Sequence, residues 1–282
     1  MKTLTPLGVM DFVPEEAQQH QTIVRTLQGI FEANGFKKIK TPALEYAETL
    51  TPVLDPQFVE KTIRFFDNQG RLLMLRPDHT APIARLVAAR MQNQERPLKL
   101  FYLDPVYQMG AIQSAEPVEV FQAGLEWIGE QGPTVDASVI STCIDAMKAL
   151  GFTDFGIDIG HQTFSAHMSA EQRSLILAGD YLQLGYIPER GGVEVVQDYP
   201  ELVVLHSALK AKGQDHYVHF NKSLIHHHDY YTGIVFEVYA KGVRRIIGKG
   251  GRYDNLIQQF GYDCPAVGFA LNVNVLLDEV SL

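Results

Sequence analysis

Short strand-like runs succeed one another along this chain with few long helices between them. A succession of that kind folds as an antiparallel sheet with helices packed on it, an α+β layout. Phe155, Ile157 and Ile159 alternate as one strand. Further strands are predicted at 36–39, 98–103, 118–127, 218–220, 233–239, 245–247 and 266–271. Apolar runs between 65 and 76 flank Asn68, Gln69 and Gly70, a hairpin signal. Ile23, Leu27, Ile30 and Phe31 follow helical spacing in a segment that opens with Pro14, Glu15 and Glu16 and should stop at Asn34 and Gly35. Asp78 and Thr80 are placed to cap a second helix with Ile83, Leu86 and Val87 on one face. Two more helices are expected at 133–150 and 273–280.

At 282 residues the chain is at the upper end for one hydrophobic core. The stretch 162–214 looks less regular, with a helix expected at 170–184 and a loop at 188–192, and reads as a small insertion within one domain spanning 1–282. No internal repeat is visible, which removes solenoid and propeller readings. The amino terminus lacks the charged start and apolar core of a signal peptide, and no run of about eighteen apolar residues occurs, so a cytoplasmic protein with no membrane association is expected. Cys143 and Cys264 are too few for a disulfide framework. A net charge of −9, from 24 basic and 33 acidic residues, builds in no long-range attraction to a polyanion. Lys37, Lys38 and Lys40 read as a solvated strand edge.

Local motifs give little catalytic signal. The glycine-rich turn expected at 248–251 lacks the order of a phosphate-binding loop and does not open a helix, so it reads as close backbone packing. His226 and His228, followed by Asp229, would share one face of a strand as a metal pair does, yet no third ligand can be placed; the reading is a polar pocket wall with no metal and no cofactor. Asp11, Glu45, Asp67, Asp104, Glu119 and Asp254 are scattered, and spacing sets none of them up as an acid–base pair.

Several blocks in one order carry a family resemblance: GVMDFVP at 8–14, TPALE at 41–45, LRPDHT at 75–80, QAGLEWIG at 122–129, DYYTGIVFE at 229–237, GGRYD at 250–254 and AVGFA at 266–270. Together they resemble the catalytic core of histidyl-tRNA synthetases, which implies a class II synthetase-like antiparallel sheet flanked by helices. Three positions where that active site needs arginine hold something else: Gln108, His226 and Val275. Arginine is preferred on a phosphate chain for its planar fork and permanent charge, and glutamine or valine does not replace it. The sequence also ends a few residues beyond the last motif, so no anticodon-binding domain and no tRNA partner are expected. This combination, with Asp158, Ile159, Gly160 and His161, resembles the regulatory-subunit family of ATP phosphoribosyltransferase.

By that resemblance Asp78, Thr80 and Gln122 would hold the ammonium of histidine, and Glu126 and Tyr231, with Tyr230 beside them, would meet its imidazole. An ammonium wants anionic or neutral acceptors, and an imidazole N–H wants an acceptor such as carboxylate. Against this, Asp78 is one methylene shorter than the usual glutamate, and His226 stands where an arginine would pair with the ligand carboxylate. The alternative readings are a bare helix cap for Asp78 and Thr80, an unused polar cavity for Gln122 and Glu126, and packing on a sheet for Tyr230 and Tyr231. The resemblance further implies a homodimer formed through the strand near Pro42, docked on the short-form catalytic subunit in a hetero-octamer. The subunit would have no catalytic residue of its own and would be needed for the partner's activity and for its feedback inhibition by histidine. Two other readings stay open: a degenerate histidine-activating ligase, and a stand-alone histidine-binding module.

Overall fold

The computed structural model describes residues 5–109, 117–166, 168–225 and 231–279. Helix α1 (Pro14–Ala33) buries Ile23, Leu27 and Phe31, one residue per turn of a single face. Its start is fixed by the Glu16 carboxylate, which accepts the Val13 amide at 3.0 Å, and it stops at Asn34 and Gly35 as expected. Then follow β1 (Lys37–Lys38), β2 (Leu44–Tyr46), α2 (Ala47–Leu50), α3 (Pro56–Glu60), β3 (Arg64–Phe66), β4 (Leu72–Leu75), α4 (Thr80–Arg90), β5 (Leu98–Tyr107), β6 (Glu119–Ile128) and α5 (Pro133–Ala149). The remainder comprises β7 (Phe155–His161), α6 (Ala170–Leu177), α7 (Tyr181–Leu184), β8 (Arg190–Gly191), α8 (Pro200–Ala211), β9 (Val218–Asn221), β10 (Ile234–Ala240), β11 (Gly248–Arg252), β12 (Ala266–Asn272) and α9 (Val273–Glu279).

Nine strands form one sheet in the order β1-β5-β6-β12-β11-β10-β7-β9-β8. From β5 to β7 every neighbour is antiparallel, as the strand succession predicts. The pairs β1–β5 and β7–β9 are parallel, which the sequence reading did not anticipate. One face of the sheet carries Phe101, Leu103, Leu125, Val267, Phe269, Phe236 and Ile159 into the main core, beneath α1, α5, α8 and α9. The other face is only partly covered, by α4 and the segment around Tyr253 and Ile257. That incomplete cover leaves a cavity. A small sheet, β2-β4-β3, buries Met74 and Glu45 on one side and exposes Leu44, Tyr46 and Phe65 on the other.

Several expected boundaries are corrected. The stretch 248–251 is not a turn: it is most of β11, in the middle of the sheet, and 245–247 is not a strand. Strand β5 runs past Leu103 through Pro105, because β1 pairs only as far as Phe101 and the missing proline amide faces no partner there. The helix expected at 170–184 is two, broken at Gly179 (φ 68°), after which the Asp180 carboxylate caps α7 by accepting the Gln183 amide at 3.0 Å. The loop expected at 188–192 contains β8, and Leu202, Leu205 and Leu209 of α8 join the main core against α5. Among the described residues no helix is long and apolar enough to cross a membrane.

Candidate ligand-binding site

Rows running across the sheet explain how residues far apart in sequence meet. The register aligns Leu100, Glu126, Gly268 and Gly251 in one row, and Tyr102, Gly124, Ala270 and Lys249 in the next. A third row places Asp104, Gln122 and Asn272 side by side. Alternation along β6 then presents Gln122, Gly124 and Glu126 to the partly covered face, while Ala123 and Leu125 go to the core. Above these rows lies a cavity of about 510 Å³, within the range of small-molecule sites. Its wall includes Asp78, Thr80, Gln122, Glu126 and Tyr231, so the structure brings together every proposed pocket residue that it describes. His226 and Tyr230, with His227, His228 and Asp229, lie outside the described residues.

Glycines make this floor possible. A Cβ on Gly268 would stand 1.8 Å from Glu126 Oε2 and 2.4 Å from the Leu125 carbonyl oxygen, so the carboxyl occupies the space a side chain would take. In the same way the Tyr102 ring lies over Gly124 and the Tyr231 ring over Gly251. The glycine-rich stretch expected to serve backbone packing does so, but within a strand and beneath the site's own side chains.

Glu126 is 1% exposed and accepts hydrogen bonds from Thr80 Oγ1, at 3.0 Å, and from the Tyr253 hydroxyl. Burial pushes its carboxyl up to about 8; the two hydrogen bonds oppose the shift and the neighbouring Asp78 charge adds to it. At neutral pH the group is therefore mostly protonated. Asp78 Oδ1 accepts the Ala81 amide at 3.2 Å, the cap expected of it, and its remaining surface faces the cavity. Enclosure by protein pushes Asp78 up to about 6, with the Glu45 charge adding to the effect. Thr80 departs from the capping expectation: it is the first residue of α4, and its hydroxyl is committed to Glu126. Two carboxyl groups on one wall, each held back from ionising by burial, favour a cationic ligand, whose charge would repay their desolvation.

Behind that wall His79 stacks on Tyr102 with ring centroids 4.1 Å apart, and its Nε2 lies 3.0 Å from the Asp104 carbonyl oxygen, to which it must donate. Burial and the Arg76 charge bring His79 down to about 3, so its ring is neutral throughout the physiological range. Arg76 itself is occupied structurally, donating to the carbonyls of Thr41 and Pro105, each at 2.8 Å. Of the three positions where the resemblance leads one to expect arginine, the two described ones differ from one another. Gln108 lines the cavity, with its Nε2 donating to the Pro77 carbonyl at 2.8 Å. Val275 lies in the main core and is absent from the cavity wall. Among the described residues the lysine or arginine side chains on the wall are Lys61 and Lys249.

The sequence reading missed Tyr253, Tyr102, His79, Lys61 and Lys249. Tyr253 stood inside the quoted GGRYD block, and the signal available was its place beside glycines that leave room for a side chain. Among the described residues no group of three or more His, Cys, Asp or Glu is placed to hold a metal ion.

The histidyl-tRNA synthetase family profile matches residues 8–174 and 188–276. A curated relative from Halothermothrix orenii, named ATP phosphoribosyltransferase regulatory subunit, is 33% identical over 95% of this chain and 74% of its own length. A solved structure from Bacillus halodurans, described as an ATP phosphoribosyltransferase regulatory subunit/histidyl-tRNA synthetase, superposes with a TM-score of 0.89 at 28% identity, covering 100% of this chain and 84% of that one. A histidine–tRNA ligase subunit from Alicyclobacillus acidocaldarius gives a TM-score of 0.83 at 27% identity over 98% of this chain and 97% of the other. The fold is that of the class II synthetases of the histidyl type.

Proposed function

Because this chain belongs to the histidyl-tRNA synthetase family and, within it, to the ATP phosphoribosyltransferase regulatory subunits, we propose that it controls that transferase in histidine biosynthesis and activates no amino acid itself. The transferase joins ATP and phosphoribosyl pyrophosphate, and its active site lies on the short-form catalytic subunit. The present chain works in the cytoplasm as a homodimer, paired through the region of Pro42, inside a hetero-octamer with that subunit. Its residues 1–282 act as one synthetase-like core in which 162–214 is a reduced insertion, and it takes no tRNA. Histidine is its ligand. Docking favours the active arrangement of the partner, and histidine reverses this only to the extent that it binds the two arrangements with different affinity.

The observation that carries this reading is the pocket's asymmetry. The side suited to an ammonium and an imidazole is built and buried, with Glu126 held by Thr80 and Tyr253 and with Asp78 beside it. On the side that would meet a phosphate chain, Gln108 donates to a backbone carbonyl and Val275 is sunk in the core. Mixing the purified chain with the short catalytic subunit tests it: the rate of product formation should rise on addition and fall again with histidine. No change in either would reject the assignment.

Lys61 and Lys249 on the cavity wall favour a second reading, in which the chain still activates histidine with ATP. Histidine-dependent exchange of labelled pyrophosphate into ATP by the chain alone would establish it.

A further inference from the structure

We infer that Lys61 supplies the cation that takes the ligand's carboxylate, an inference that rests on the pocket being an amino-acid site. An amino acid brings one anionic end, and the usual partner for it, an arginine in the place of His226, is not in the sequence. Two ammonium groups remain on the described wall. Lys249 on β11 faces Glu237 on β10 in register, and their side chains form an ion pair at 2.8 Å, so its charge is already compensated. Lys61 makes no ion pair among the described residues.

The place of Lys61 is also fixed. It follows directly on α3, its amide bonds the Phe58 carbonyl at 3.1 Å, and its own carbonyl accepts the Met109 amide at 2.8 Å, beside Gln108. The segment carrying it is thus anchored to the chain just past β5, whereas Asp78 precedes α4, Thr80 opens it and Glu126 stands on β6. The other charged group on this segment's part of the wall, Asp55, accepts the Phe58 amide at 3.3 Å. A zwitterion entering the cavity thus meets its acceptors at Asp78 and Glu126 and its cation at Lys61, with the Gln108 amide alongside. A flexible ammonium is a point charge without arginine's fork, so it holds a carboxylate without fixing its plane.

Calorimetric titration of the full chain with L-histidine and with L-histidinol, which keeps the ammonium and imidazole but replaces the carboxylate by a neutral hydroxymethyl, isolates this contact. Lys61→Ala and Lys61→Gln should each weaken L-histidine by about tenfold or more, the usual worth of one charge-assisted hydrogen bond, and leave L-histidinol unchanged. Lys61→Arg should keep most of the preference for histidine. If both neutral variants bind L-histidine as the wild type does, or lose both ligands equally, Lys61 is not the carboxylate partner, while the amino-acid reading of the pocket survives. If the wild type binds neither compound, the inference falls together with the reading beneath it.

Discussion

Replacing Glu126 by glutamine should change the pH dependence of stability in a direction set by one buried proton. The side chain is 1% exposed, and burial holds its carboxyl at about 8 against an ordinary 4.5. The folded pKa lies above the unfolded one, so between these values the native state keeps a proton that the unfolded chain has released. The stabilisation from that proton is complete below about pH 4.5 and is lost as the pH rises through about 8. Each pH unit inside the window is worth about 1.4 kcal/mol, which makes the whole change roughly 3–5 kcal/mol. Glu126→Gln keeps the shape and never ionises: its oxygen accepts from one of the two hydroxyls, Thr80 or Tyr253, and its amide group donates to the other, whose O–H turns away. Urea unfolding of both proteins at a series of pH values from about 5 to about 9 provides the assay, with the wild type losing stability relative to the variant as the pH rises. Parallel stability curves across that range would refute the argument, because they would mean that Glu126 titrates alike in the folded and unfolded chains.

Two other outcomes follow from the same packing. Gly268→Ala should displace the Glu126 carboxyl, since the new Cβ would meet both that group and the unyielding Leu125 carbonyl; unfolding should show a loss of about 1–3 kcal/mol, and histidine binding should weaken in the same variant. Asp136→Ala should cost about 1–3 kcal/mol in a thermal or urea melt, because it removes the carboxylate that accepts from Nε and Nη2 of the buried Arg252 at the end of β11, while Asp254 and the Glu130 carbonyl still accept from Nη1.

How far this was legible in the sequence depended on whether a segment's own pattern fixed its place. Helix α1 and the β3–β4 hairpin declare themselves through apolar spacing and turn residues, and both appear where expected. The stretch 248–251 carries no such pattern, because glycines offer neither alternation nor β-branched side chains; only the neighbours β10 and β12 make it a strand. The composition of 170–184 is helical throughout, so the break at Gly179, a local backbone choice, leaves no mark in the pattern. Of the pocket, Asp78, Thr80, Gln122, Glu126 and Tyr231 were named in advance through family resemblance. Tyr102 is not among them, since an aromatic residue in a strand-like run reads as core, and neither is Tyr253, since the glycines before it read as a turn. The Tyr253–Glu126 bond joins residues 127 positions apart, and only the sheet register brings them together. Lys61 escaped because a lone exposed lysine after a short helix has no sequence signature of ligand contact.

The most direct measurement of the central claim is the histidine concentration that half-inhibits the transferase when the short catalytic subunit is paired with this chain, compared between the wild type and Glu126→Gln. If the inherited pocket is the sensor, loss of the carboxylate raises that concentration by about tenfold or more while the rate without histidine is kept. An unchanged half-inhibiting concentration would contradict the claim and place histidine sensing outside this pocket.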